Sequence, residues 1–363
     1  MKNTFGKSLT LTLFGESHGD FIGAVIDGIS PGVKISRDAI KAALEKRRPK
    51  GKASTSRIEA DEYKIISGEL AGYTTGAPLT ILIPNENKKS ADYSEIKNTP
   101  RPSHADYAAE MKYLGYQDRR GGGHFSGRIT AALVAVGGIL MPMLEAKGIH
   151  IGTHIVRLGD ATERGFENAE KDIAMLKEAD FPALSLEVKE NMLKCAEAAR
   201  EMGDSLGGVL ETAIVGLPAG LGEPWFDTLE GMLSHGVFSV PAVKGVEFGL
   251  GFGFGTARGS EANDAFAIDG GKVITKTNNN GGINGGITNG MPVIFRSAVK
   301  ATPSIFIEQD TVDLGKMENC KIKIEGRHDA TIVPRVAPVI DAVAALVIAD
   351  LLIGRFGTNY FSE

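Results

Sequence analysis

Apolar residues alternate at Leu9, Leu11 and Leu13, the period of a strand, and the run Phe21 to Ile26 beyond the glycines around His18 predicts a returning strand. The period then lengthens. Ser36 is suited to cap a helix carrying Ile40 and Leu44, and Pro49 predicts its stop, which leaves Arg47 and Arg48 projecting near the helix end. A polar, surface-like segment from Pro84 to Pro102 leads into a second helix, opened by the His104 motif and reaching Leu114. Residues 127 to 147 then predict an apolar helix that starts beside Ser126 and Arg128 and finishes at Lys147-Gly148. The stretch 160 to 205 is charged and helical, Val209 to Val215 resumes a strand pattern, and a short helix is expected around Leu229 to Leu233. From Val237 onward strands alternate with glycine-rich turns, the largest spanning residues 277 to 290. The last module predicts a strand from Lys321 to Ile324, a turn at Gly326-Arg327-His328-Asp329, and a helix starting near Ala337-Pro338. Val339 to Ile353 is strongly apolar but is interrupted by Asp341 and Asp350 and falls short of a membrane span, so it is expected to be a buried core helix.

No linker divides the pattern, and 363 residues stay within the range of one large unit, so residues 1–363 are expected to form a single domain. The 46 glycines exceed the usual roughly 7 per cent and leave many loops able to approach a ligand closely. Forty Lys and Arg against 45 Asp and Glu give a net charge of -5, which argues against nucleic acid or an anionic membrane as a partner. Cys195 and Cys320 are too few for a disulfide framework or a conventional zinc site, so free thiols and no metal are expected. The start Met1 to Gly6 resembles neither a signal nor a transit peptide, which makes the cytoplasm the expected compartment.

The chemistry is concentrated in short polar motifs between these elements. They are Gly15-Glu16-Ser17-His18-Gly19, Arg47-Arg48-Pro49, Arg101-Pro102-Ser103-His104-Ala105-Asp106, the run Gly121 to Arg128, and Gly326 to Asp329. Guanidinium forks match phosphate and carboxylate oxygens, so Arg47, Arg48, Arg101, Arg128 and Arg327 together point to an anion-binding enzyme. His18 and His104 are candidate acids, with a second reading as turn-capping or core imidazoles. Asp329 can relay a proton or satisfy its own turn, and His124 can face an aromatic cofactor or brace its loop. The Asn-Gly run 278 to 290 and residues 301 to 305 offer donors to a phosphorylated ligand, although a surface hairpin is the ordinary meaning of such a run. No early GxGxxG opens a βαβ unit, which disfavours a dinucleotide fold, and the Gly15 to Gly19 spelling lacks the context of a nucleophile elbow.

Taken in order from residue 15 to residue 329, and joined by Gly285 to Gly290 and Thr302 to Ile305, these motifs resemble those of the chorismate synthase family, of the bacterial monofunctional type. The resemblance implies an α+β fold with internal helices sandwiched between antiparallel β-sheets, and a homotetramer built as a dimer of dimers. It implies conversion of 5-enolpyruvylshikimate-3-phosphate to chorismate and phosphate by 1,4-anti elimination, with reduced FMN (FMNH2) required without net redox and supplied by an external flavin reductant. Carried onto this chain, His18 would serve the departing phosphate, His104 the protonation state of the reduced flavin, and Asp329 proton transfer at its N5. Arg47, Arg48, Arg101, Arg128 and Arg327 would clamp the substrate, while His124, Ser126, Gly127, Asn263, Gly286, Lys300, Thr302 and Ser304 would lie on the flavin side. The segments near 84–102 and 277–290 would order over the bound ligands. The chain departs from the family spelling at Lys50, Ser103, Ile129 and Ala330-Thr331, changes that bear on loop geometry more than on the acid-base residues. Two further readings remain, a flavin-dependent oxidoreductase and an anion- or RNA-associated binding protein, and neither matches the ordered motif set.

Overall fold

A computed structural model describes residues 2–49, 60–86, 98–324 and 329–362. Two five-stranded antiparallel sheets dominate. The first has the order Thr4–Phe5, Thr10–Gly15, Phe21–Asp27, Leu79–Pro84 and Lys64–Ser67. Its register sets Ile22, Ala24 and Ile26 opposite Ile83, Ile81 and Leu79, so one face is a continuous aliphatic surface. The second has the order Val243–Phe248, Val293–Val299, Gly208–Val215, His150–Leu158 and Ala161–Thr162.

Helices fill the space between these sheets, as the family resemblance implied. They are α1 (Arg37–Arg47), α3 (Thr130–Glu145) and α8 (Val333–Phe356), with α2 (Asp106–Tyr113), α4 (Ala169–Glu178), α5 (Leu186–Glu201), α6 (Leu229–Phe238) and α7 (Gly259–Ala262) around them. The α3 helix meets the first sheet, while α8 meets the strands His150–Leu158 and Gly208–Val215 of the second. Close approach at the centre depends on two glycines of α3. A Cβ at Gly137 would lie 2.5 Å from the Ala342 methyl of α8, and one at Gly138 would lie 2.6 Å from Ile40 Cα of α1. Either methyl would wedge two packed helices apart.

Half of the α-helices begin at a side-chain N-cap. Ser36 accepts from the Ala39 amide at the start of α1, and a 3₁₀ turn, Gly127–Ile129, capped by Ser126, precedes α3. The α8 helix starts earlier than the proline pattern predicts. It opens at Val333 with Pro334 in its first turn, where a missing N–H costs nothing, and Pro338 is tolerated inside it. The resulting 24 residues, like the segment Gly127–Glu145, are long and apolar enough to cross a membrane by length and composition, contrary to the shorter expected segment. Burial rather than length marks them as core, because most of each lies inside the protein.

Candidate active site

The glycine run organises the site. Gly121, Gly122 and Gly123 have φ of 59°, 85° and 54°, a left-handed stretch that side chains resist. A Cβ at Gly121 would lie 2.3 Å from His18 Cε1 and 2.9 Å from Ser17 Oγ, whereas one at Gly122 would lie 3.6 Å from His104 Nε2. The two candidate acids therefore flank one bare backbone turn, although 86 positions separate them in sequence. The Gly123 carbonyl accepts from the Ser17 amide at 3.0 Å and locks this turn to the His18 motif.

His104 sits in a cluster of its own motif. Asp106 Oδ1 is 2.6 Å from His104 Nδ1, which fixes that nitrogen as a donor. Arg101 Nη2, 3.0 Å from the same nitrogen, is then a close contact and not a hydrogen bond. Arg101 instead grips Asp106 in a fork, Nε to Oδ2 and Nη2 to Oδ1, both at 2.8 Å. Burial alone would raise the Asp106 carboxyl, but hydrogen bonds from Arg101 and His104 outweigh it and hold that carboxyl far below the usual carboxylate range. The His104 ring lines a cavity of about 260 Å³, together with Arg119, Arg120, Gly122 and Phe125.

A second cluster joins the N-terminal arginines to Asp329. Arg47 is buried, with Nε donating to Thr130 Oγ1 at 2.9 Å and Nη2 to the Gly127 carbonyl at 2.7 Å. Burial, and next the Arg335 cation, lower its pKa to about 9, opposed by Asp61. Arg128 is also buried and pairs with Asp61, while its Nε donates to Asn85 Oδ1 at 2.9 Å and its Nη2 to the Pro84 carbonyl at 3.1 Å. Asn85 in turn donates to the Glu16 and Gly19 carbonyls, both at 2.9 Å, and so ties Arg128 to the turn that carries His18. On the other flank, Arg335 donates to the Arg47 carbonyl at 3.3 Å and to Asp329 Oδ2 at 2.8 Å. Thr302 Oγ1 donates to the Asp329 carbonyl at 3.0 Å, and Lys300 Nζ donates to the carbonyl of Ser103, next to His104.

The structure thus brings His18, His104, Arg47, Arg101, Arg128, Asp329, Lys300 and Thr302 into one connected region. Arg48 adjoins it, its Nη2 donating to the Ala60 carbonyl. Ser126 accepts from the Arg128 amide at 3.2 Å, and a Cβ at Gly127 would meet open space. Ser304 is half-buried in the same segment as Thr302. Two sequence-predicted positions serve other turns. Asn263 caps the short α7, and Gly286 packs against the start of α6, where its carbonyl accepts from the Leu229 amide at 2.9 Å. His124 braces its loop through Nδ1, which donates to the Gly15 carbonyl at 2.8 Å. Arg327, Lys50 and residues 87–97 of the segment 84–102 lie outside the described residues.

Several partners were not legible as site residues. Asp61 and Arg335 sit in ordinary-looking polar sequence, and buried Asn85 falls in a segment that reads as surface. The only local signal was a polar residue abutting a motif or a strand end. Within this region the buried Ser17 Oγ and Arg48 Nε have no hydrogen-bond partner among the described residues. A donor set of this kind, beside a turn bare of side chains, suits a polar anionic ligand.

Comparison with known proteins identifies the family. A family model described as chorismate synthase matches residues 9–353. The chorismate synthase of Thermococcus gammatolerans is 47% identical over 350 residues, covering 96% of this chain and 97% of its own length. That of Dehalococcoides mccartyi strain BAV1 is 46% identical over 353 residues, covering 97% and 96%. A solved structure, described as the crystal structure of chorismate synthase, superposes with a TM-score of 0.77 at 29% identity, covering 97% of this chain and 94% of that one. Archaeal and bacterial relatives alike share the full-length match, and the chain belongs to the chorismate synthase family.

Proposed function

We propose that the protein converts 5-enolpyruvylshikimate-3-phosphate to chorismate and inorganic phosphate by 1,4-anti elimination, with reduced FMN and no net redox. The observation that supports this reading most is the glycine turn with His18 on one side and His104 on the other. The substrate needs a proton-bearing group near its phosphate and a second, differently biased group near its cofactor, and two imidazoles in different surroundings meet that need.

The residues present fit the cofactor. Lys300, Thr302 and Ser304 come from one segment that adjoins both Ser103 and Asp329, a set of ammonium and hydroxyl donors suited to phosphate and to carbonyl oxygens. Reduced FMN supplies electron density to the substrate when bound. His18 holds a proton for the departing phosphate. His104, its Nδ1 committed to Asp106, offers Nε2 toward the Gly122 turn and sets the protonation state there. Asp329, held by Arg335, stands ready to accept a proton. Arg48, with Nε still without a partner, clamps the substrate directly alongside Arg327. Arg47, Arg101 and Arg128 already spend their hydrogen bonds on protein atoms, so they contribute mainly positive field and a fixed shape.

In this reading residues 1–363 act as one domain in the cytoplasm, as a homotetramer, and flavin is reduced elsewhere by an NADPH-dependent reductant, as in a monofunctional enzyme. Trp225 and Phe226, 85% and 95% exposed, are the kind of side chain that a subunit contact would cover. The test is anaerobic turnover of 5-enolpyruvylshikimate-3-phosphate by purified protein with chemically reduced FMN in catalytic amount. Chorismate formed in many-fold excess over flavin is the expected result. Consumption of one reduced flavin per product would overturn it in favour of an oxidoreductase, and no product from folded protein that binds flavin would end the assignment.

A further inference from the structure

A cavity of about 880 Å³ lies between α1, α3, α4, α8 and the strand His150–Leu158. Helical spacing separates it from the candidate active site. On α1, Ala39, Ala42, Ala43 and Lys46 share the face that lines it, while the next residue, Arg47, turns to Gly127 and Thr130. On α8, Pro334, Pro338 and Asp341 line it, while Arg335 turns to Asp329.

The walls are mostly apolar, with Val134 and Met141 from α3 and Ile173 from α4. Asp341, from α8, stands against these apolar walls. Asp341 Oδ1 accepts from Thr153 Oγ1 at 2.6 Å, and its other oxygen has no hydrogen bond among the described residues. That oxygen is not sealed, and the surface that Asp341 retains is cavity surface. Burial pushes the carboxyl up to about 7, against the opposing pull of the Thr153 hydrogen bond and the Lys46 charge. Unpartnered carboxylates in apolar surroundings are costly, and a bound cation would relieve that cost.

The charge of the lining selects the sign of the ligand. Five carboxylates line the cavity against two lysines and one histidine. Both lysines are engaged, Lys46 Nζ with the Leu176 and Lys177 carbonyls at 2.9 and 2.7 Å, and Lys177 with Glu145 at 2.8 Å, while of the carboxylates Asp180 pairs with Lys189 at 2.8 Å, which leaves the lining still net negative. An anion would meet net negative charge, and a purely apolar molecule would leave the second oxygen of Asp341 without a partner. We propose that this cavity is a second ligand site, separate from the candidate active site, that takes a small organic cation with a ring-sized apolar body and one primary ammonium directed at Asp341. The volume lies within the range of small-molecule sites.

The probe is 2-phenylethylamine, titrated calorimetrically into the full chain at about pH 8, where the carboxyl is ionised and the amine is still an ammonium. Saturable binding at one site per chain is expected. Affinity should fall at least about tenfold in Asp341→Asn, which keeps the acceptor for Thr153, and at least about tenfold for 2-phenylethanol, which lacks the charge. A second variant, Ala42→Trp, fills the cavity from an exposed helix position and should abolish binding even if Asp341→Asn fails to fold. The proposal is overturned by absence of saturable binding to the unmodified chain, by equal affinity for the alcohol, or by unchanged binding in Ala42→Trp. None of these outcomes depends on the reaction proposed above.

Discussion

His104 and His154 are assembled from the same parts and left in opposite settings. Each has a carboxylate at Nδ1, Asp106 at 2.6 Å and Glu163 at 3.2 Å. They differ at Nε2. For His104 that nitrogen faces the bare Gly122 turn beside a cavity. For His154 it faces Glu211 at 3.4 Å, with the Phe166 ring set edge-on at 4.6 Å and no exposed surface at all. An imidazole with one nitrogen held and one presented can move a proton. With both nitrogens held it can only carry a charge, and here it joins Glu163 and Glu211 across the second sheet. What distinguishes the two is the third neighbour, a glycine in one case and a second carboxylate in the other.

The largest test of that contrast is a pair of alanine substitutions read in two ways. His104→Ala should cost about 10² to 10⁴ in turnover, the range for loss of a positioned proton donor, with melting temperature little changed. Turnover within threefold of the unmodified enzyme would remove His104 from the proposed mechanism. His154→Ala should do the reverse. It removes the cation from between two buried carboxylates, which keep only their backbone amide donors, and should destabilise the fold by about 3–5 kcal/mol in denaturant unfolding, while turnover per folded molecule is retained. A stability loss below about 1 kcal/mol would mean that water already reaches the glutamates and that the triad is not sealed.

Sequence revealed the first of these histidines and not the second, for a physical reason. His104 lies within six residues of Arg101 and Asp106, so the partners of its Nδ1 are local and read as a motif. The partners of His154 come from residues 163 and 211 and meet it only through strand pairing, where Glu211 stands opposite His154. The same rule holds across the molecule. The strands Thr10–Gly15 and Phe21–Asp27, α1 and its Ser36 cap, and the turn around His18 follow from short-range pattern, and so does the burial of α8. Asn85 was invisible because it acts on residues at least 40 positions away, and Asp61 and Arg335 because each also joins a residue that distant, Arg128 and Arg47. Asn263 and Gly286 show the converse. Their motifs were read as flavin contacts, while the structure puts both in turns that pack on their own surroundings, and their role toward a ligand stays a proposal.

The smallest effect, and the one that sharpens the contrast most finely, is pH. Burial lowers the His154 pKa, but the hydrogen bonds to Glu163 and then Glu211 outweigh it, so the folded value stands above the ordinary 6.5. A raised pKa contributes stability that is complete below the unfolded value and is lost as pH rises through the folded one. Glu211 has the opposite sign. Burial raises it, yet the His154 hydrogen bond and the Phe166 amide bring it below its ordinary 4.5, so its contribution is lost as pH falls through the folded value. The triad therefore stabilises the fold most between those limits, and on the alkaline side unfolding free energy should decline as His154 loses its proton. The same decline should be absent in His154→Gln, which keeps hydrogen-bonding capacity but cannot titrate. His104→Gln should retain it, since that substitution leaves the sheet untouched. If the decline follows His104 instead, the charge that matters for folding lies in the loop, and the division between a presented and an enclosed imidazole is wrong.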